Sequence, residues 1–365
     1  MSKLIGLSLF ASGGISEYYL DKTNVNIKLA NELLAKRCNF YKELYKDSHM
    51  ICGSITDKKV YDKIISKSKK LKIDFIMATP PCQGMSKAGK MNFDDPRNSL
   101  FLHVIKIIKI IKPKYVLIEN VPELLKSNFK DIDRKEKKIM DKINQELNNN
   151  YNINSAVLNS MNYDVPQSRK RAIILFSRKD MKEWKIPPKK NNIITVRNTI
   201  EYLPSLESNE KITDFNTNNI NEKNNIINWH YGKKHNDRHI LWMKHTPTGK
   251  TAFDNIKHYP NIDGRKIRGF KTTYKRISWD KPSPTITMAN GSISSQNNVH
   301  PGRLNKDKKT YSDARVLSVF ELILLTSLPK DIILPKCSTD KLIRDLLGEC
   351  VPSKFMFNLI KSLPY

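Results

Sequence analysis

Short apolar runs of strand length alternate with helically spaced segments through the first half of the chain: Leu4 to Phe10, a helix through Asn31 to Lys36, Ile73 to Ala78, Leu100 to Ile111 and Tyr115 to Ile118. That alternation predicts a parallel α/β sheet with helices on its faces, a Rossmann-like arrangement. The run Ala172 to Phe176 closes the block. From about Trp184 the chain is rich in Pro, Asn, Lys and His, with weak periodicity until about Asp313. Periodic spacing returns at Val316 to Leu325, and Phe355 to Ile360 suits a closing helix packed back on the first lobe. The expected division is a first lobe over 1–184, a smaller loop-rich insertion over 185–318, a hinge over 319–346 and a returning helix within 347–365. No internal repeat is visible.

A chain of 365 residues can bury a substantial core. No apolar stretch approaches the roughly 18 uncharged residues a membrane-spanning helix needs, and Met1-Ser2-Lys3-Leu4 lacks the pattern of a signal peptide. A soluble protein of the cytoplasm, nucleoid-associated in a prokaryote, is expected. The five cysteines are scattered with no Cys-x-x-Cys pair, so neither a disulfide framework nor a metal site is suggested. The net charge of +28, from 64 basic against 36 acidic residues, fits a polyanionic partner, nucleic acid first. Lys and Asn enrichment from an A+T-rich coding genome is the competing explanation, and the Asn-heavy stretches Leu147 to Asn154 and Asn216 to Asn228 favour it.

In open parallel sheets ligands bind at the carboxyl ends of the strands, which directs attention to three loops and, beside them, to one basic segment that precedes a strand. Phe10-Ala11-Ser12-Gly13-Gly14 is a small-residue turn that lets backbone approach a cofactor. Thr79-Pro80-Pro81-Cys82-Gln83-Gly84 stiffens a loop with two prolines and sets a thiol at the sheet edge. A thiolate there is a nucleophile; the bland alternative is a small buried hydrophobe. Glu119-Asn120-Val121-Pro122 puts a carboxylate at the same edge, where a desolvated carboxyl shares a proton, although a helix cap or surface charge would read the same. Gln167-Ser168-Arg169-Lys170-Arg171 precedes the last strand, with Arg169 and Arg171 alternating onto one face, as a solvated basic edge strand also would.

In this order the four pieces resemble the DNA cytosine-5 methyltransferase family, nearly end to end, in its compact restriction-modification form. Pro81-Cys82-Gln83 resembles the nucleophile motif, Glu119-Asn120-Val121 the base-binding motif, and Gln167-Ser168-Arg169-Lys170-Arg171 the Gln-x-Arg-x-Arg motif. Arg276 to Thr287 resembles the scaffold segment that follows the target-recognition region, and Arg315 to Pro329 with Gly348-Glu349-Cys350-Val351-Pro352 the closing motifs. Ser177 to Lys275 matches nothing, as the resemblance implies for the part that reads DNA sequence.

The resemblance implies a methyltransferase fold with an inserted target-recognition domain, S-adenosyl-L-methionine as cofactor and double-stranded DNA as partner. It further implies a monomer and functional pairing with a restriction endonuclease. Cys82, Glu119, Arg169 and Arg171 would be catalytic. Phe10, Gly14, Glu32, Ser54, Ile55, Pro81, Leu100 and Glu349 would line the cofactor, and Gln83, Ser86 and Asn120 the substrate. Three positions depart from the pattern: Ser12 stands where the family usually has glycine, Ser54 where it has aspartate, and Glu349 where it has asparagine. The implied chemistry adds the Cys82 thiolate to cytosine C6, with Glu119 on the N3 and amine edge and Arg171 on the carbonyl oxygen. The base must then be flipped out of the duplex, and the loop from Gln83 to about Ser99 is expected to be mobile without DNA. Two alternatives stay open: the same chemistry on transfer RNA, and a catalytically silent nucleic-acid-binding protein.

Overall fold

The computed structural model describes residues 3–81, 100–130 and 136–365. The first lobe runs β1 (Leu4–Leu9), β2 (Val25–Glu32), α1 (Ala35–Leu44), β3 (His49–Cys52), α2 (Lys58–Leu71), β4 (Phe75–Ala78), α3 (Leu100–Ile111) and β5 (Tyr115–Asn120). A short hairpin of β6 (Asn128–Lys130) and β7 (Glu136–Lys138) leads into α4 (Ile139–Leu147), β8 (Tyr151–Asn159) and β9 (Lys170–Arg178). These strands form a seven-stranded sheet in the order β3-β2-β1-β4-β5-β9-β8, parallel from β3 to β5 with β9 inserted antiparallel.

Every residue of β4 and β5 is buried, as a sheet covered on both faces requires. The period of two divides the layers. Ile76 and Ala78 face a core shared with Ile64 of α2, Val104 and Ile108 of α3 and Ile143 of α4. Phe75 and Met77 face the opposite layer, with Trp184 and with Phe355, Met356, Leu359 and Ile360 of the last helix.

Beyond β9 come α5 (Val196–Ile200), α6 (Ile220–Trp229), α7 (Asp237–Lys244), a tight hairpin of β10 (Asn261–Ile262) and β11 (Arg265–Lys266), then α8 (Val319–Leu325), α9 (Asp340–Glu349) and α10 (Ser353–Lys361). A separate core joins α5, α8 and α9 to Ile15 and Phe40 of the first lobe. Helix α8 is wholly buried, apolar apart from Glu321, and a capping box of Ser318 and Glu321 starts it. Among the described residues no helix is long and apolar enough to cross a membrane.

The α/β reading holds, with corrections in detail. Asn31 and Glu32 end β2 instead of opening a helix, which begins only at Ala35; Leu29–Glu32 pairs in parallel register with His49–Cys52 of β3, which holds it extended. The Asn-rich stretch around 147–154 contains the start of β8, whose pairing with β9 outweighs the poor strand propensity of asparagine. The segment expected to be loop-rich carries α5, α6 and α7, capped at their starts by the side chains of Thr195, Asn219 and Asn236.

Candidate active site

The carboxyl ends of β1, β2, β4 and β5 converge on one edge of the sheet. After β1 the chain turns sharply, with Phe10 (φ 59°), Ser12 (φ 51°) and Gly14 (φ 76°) all in the left-handed region. Gly14 is required there: a side chain would enter the Tyr41 and Tyr45 rings, with Tyr45 Cε2 only 2.4 Å from the position of a Cβ. Tyr45 then donates its hydroxyl to the Gly14 carbonyl at 2.7 Å.

Glu32, at the tip of β2, accepts from the Ser12 backbone N–H at 2.9 Å and from that of Leu34 at 2.8 Å. An ionised carboxylate has about four acceptor sites, so two bonds leave room for a ligand's hydroxyls. After β3, Gly53 leads to Ser54, whose hydroxyl is 2.7 Å from that of Thr56, and to the buried Ile55. Pro81 ends the described stretch after β4, and Leu100 opens α3 on the far side of the gap.

Two of the departures from the family pattern meet. The Ser12 hydroxyl donates to the Glu349 carboxylate at the end of α9, and Arg37 on α1 donates to its other oxygen at 2.6 Å. Burial raises the Glu349 carboxyl above the usual range, although Ser12 and Arg37 pull it down. Sequence reasoning missed Arg37. The available signal was the acidic residue at 349, which needs a cation nearby if it is to be buried.

At the end of β5, Glu119 is buried, and its Oε1 lies 2.9 Å from Nε of Arg171 on β9. Burial pushes the carboxyl up, against the attraction of Arg171 and Arg169. This leaves a carboxyl able to exchange a proton beside a fixed cation. Asn120 donates to the Pro80 carbonyl at 2.9 Å and accepts from the Val121 N–H at 2.8 Å. Its side chain thereby braces the two-proline turn from which Cys82 follows.

Arg169 points elsewhere, donating to the carbonyls of Ile286 (2.9 Å), Gly348 (3.3 Å) and Glu349 (2.7 Å). Burial and the Arg171 charge lower it to about 10. Among the described residues its Nε has no hydrogen-bond partner. It fastens the end of α9 and the segment around Ile286 to the sheet edge. Gly348 permits that approach, since a Cβ there would stand 2.5 Å from the Met288 nitrogen. Cys82, Gln83 and Ser86, and the 83–99 loop expected to be mobile, lie outside the described residues.

Residues 5–364 match the family model described as C-5 cytosine-specific DNA methylase. The chain is 44% identical to the Type II methyltransferase M1.HgaI of Avibacterium volantium, covering 99% of this chain and 98% of that protein. It is 27% identical to the Type II methyltransferase M1.HphI of Haemophilus parahaemolyticus, over 90% of this chain and 78% of that one. Among solved structures, a candidate DNA modification methyltransferase encoded within an E. coli prophage superposes with a TM-score of 0.71 at 19% identity, covering 99% of this chain and 98% of that one, which is a likeness of fold.

Proposed function

The chain belongs to the C-5 cytosine-specific DNA methylase family, and from that premise we propose that it methylates C5 of a flipped-out cytosine in a short DNA sequence. The methyl donor is S-adenosylmethionine, and the role is the modification half of a cytoplasmic restriction system. The observation that carries this is the Glu119–Arg171 pair, 2.9 Å apart and buried at the sheet edge beside the turn that leads to Cys82.

Cytosine C5 is a poor nucleophile until the ring is activated. The Cys82 thiolate forms a bond to C6, which moves electron density onto C5. Glu119 holds the N3 and exocyclic amine edge and gives N3 a proton as charge develops. Arg171, already paired with Glu119, is within reach of the ring's carbonyl oxygen. S-adenosylmethionine, when bound, supplies an electrophilic methyl on a sulfonium. Once C5 carries the methyl and the donor has left as its neutral thioether, C5 would lose its proton to solvent, the Cys82–C6 bond would break to return the thiolate, and N3 would give its proton back to Glu119.

The residues of the β1–β3 edge suit that donor. Glu32 takes the ribose hydroxyls, and Phe10 and Ile55 offer apolar walls to the adenine. Ser54, whose hydroxyl is engaged with Thr56, contributes mainly backbone. Glu349 brings a carboxylate to the methionine end, opposite in sign to its ammonium. Asn120 and Arg169 act as positioning residues. The segment 185–318 is assigned the reading of DNA sequence, and the enzyme works as a monomer beside a separate endonuclease.

The test is to incubate the protein with S-adenosylmethionine and unmethylated genomic DNA and to map 5-methylcytosine at base resolution. Methylation confined to one short motif is expected, absent in Cys82→Ala and reduced roughly 100-fold or more in Glu119→Gln. Unmodified DNA from a wild type that binds cofactor would redirect the search to transfer RNA. A wild type that binds no cofactor would make the chain a silent binder.

A further inference from the structure

The sequence between α7 and the Arg276 segment matches no motif, yet it carries the two most exposed large apolar side chains among the described residues. Ile256 is 91% exposed and Phe270 77%. Exposing a phenylalanine ring forgoes roughly 2 kcal/mol of burial, so an ordered one needs a reason.

This one is ordered by construction. The β10–β11 hairpin closes through Asp263 and Gly264, both at positive φ, as a two-residue turn of this kind requires. Past it, the Ile267 N–H donates to the Pro260 carbonyl at 3.1 Å. Gly269 then lies flat on the Phe253 ring, where a Cβ would stand 2.5 Å from its Cζ. Phe253 in turn rests edge-on against Tyr274, and Tyr274 against Trp242, with ring centroids 5.7 and 5.4 Å apart. The Phe270 carbonyl accepts from both the backbone N–H (2.9 Å) and the hydroxyl (2.8 Å) of Thr273. An aromatic pedestal and a closed turn therefore hold the Phe270 backbone while its ring faces solvent.

The surroundings are basic. Arg265, Lys266, Arg268 and Lys271 are all exposed, and among the described residues none has an ion-pair partner. Lys266 alone is engaged, its ammonium 4.2 Å from the centre of the Tyr259 ring. Only Asp263 opposes them between 261 and 272. A protein partner of mixed charge would find little to pair with. A polyanion with apolar faces between its charges fits both features.

We infer that the 261–272 hairpin arm is a DNA-contacting element in which Phe270 packs against bases while Arg268 and Lys271 take flanking phosphates. The inference rests on the reading of this chain as a DNA methyltransferase and names residues for its sequence-reading part. The two kinds of contact have separable signatures. Phosphate contacts release counterions and set the salt dependence of binding; base contacts by an aromatic ring do not.

The experiment measures binding by fluorescence anisotropy across a salt series, with a labelled duplex carrying the motif found by methylation mapping and a scrambled duplex of equal length. Phe270→Ala is expected to bind the motif duplex roughly ten-fold or more weakly with an unchanged salt slope. Arg268→Gln and Lys271→Gln are each expected to lower the slope of log K against log salt by about 1, on both duplexes. Phe270 is exposed, so its removal leaves the core intact, and circular dichroism with cofactor binding confirms the fold. Wild-type affinity and slope in all three variants overturn the inference while leaving the methyltransferase reading standing. A wild type that binds and methylates no duplex overturns that reading as well.

Discussion

At the scale of single residues, the pairing of Ser12 with Glu349 is the most specific feature of this site. Each position departs from the family pattern separately in sequence; in three dimensions one departure answers the other, and Arg37 supplies a charge to the partly buried carboxylate. Replacing Glu349 by the family's asparagine should weaken S-adenosylhomocysteine binding about ten-fold or more, the worth of a charge-assisted bond to the ammonium. Methylthioadenosine, which lacks the amino-acid end, should bind as before. Titration calorimetry with both compounds checks this, and equal losses for the two would make Glu349 a structural brace only. The position of Glu119 at the end of β5 was legible, because the apolar run before it marks the strand. Arg37 was not: nothing in a helix sequence separates a cation aimed at a buried carboxylate from one aimed at water. Arg169 was legible as a site residue, but its carbonyl partners lie more than a hundred positions along the chain, beyond any local pattern.

At the scale of elements, the apolar runs identified β1, β4, β5 and β9 because strands buried on both faces are continuous apolar stretches, but they gave no range for β2 or β3. Periodicity failed where tertiary pairing overrides composition, as in β8, and where short helices are fixed by caps more than by an apolar stripe, as in α5 to α7. Asp313 and Arg315 lie at the border between the weakly patterned segment and α8, and there a buried ion network does the fixing. Arg315 donates to Asp313 at 2.8 Å and to both oxygens of Glu321 at 2.9 Å, and Asp313 accepts from Ser205 and from the Leu206 N–H. Through Arg315, whose Nε also donates to the Leu206 carbonyl at 3.0 Å, the capping glutamate of α8 is tied to the segment between α5 and α6. Arg315→Ala strands two buried carboxylates and should cost about 3–5 kcal/mol in urea unfolding. A loss below about 1 kcal/mol would show that water reaches the network and that packing of α8 alone sets the register.

For the whole molecule, that network also sets the response to acid. Burial alone would raise Asp313 and Glu321, but the charges facing them, His300 then Arg315 at Asp313 and Arg315 then His300 at Glu321, hold both below the usual carboxylate range. Burial pushes His300, which packs between them, down to about 4, although the two carboxylates pull it up. Its Nδ1 accepts from the Gly302 N–H at 3.1 Å, a bond only the neutral ring can make. A histidine whose folded pKa lies below its unfolded value of 6.5 contributes stability that is complete above that pH and lost as pH falls toward 4. Two and a half pH units correspond to a contribution on the order of 3 kcal/mol. The carboxylates add their loss only at lower pH, below their unfolded values, so the two limbs separate. Thermal unfolding followed between pH 7 and pH 4.5 should therefore show Tm falling already below about 6.5. His300→Asn keeps an acceptor for the Gly302 N–H without a titrating ring and should make that first limb shallower, leaving the share that His235 contributes and leaving the second limb. If Tm of both proteins falls in parallel through this window, the sensitivity belongs to other groups, with His235, also pushed down to about 4 by burial, the next to substitute.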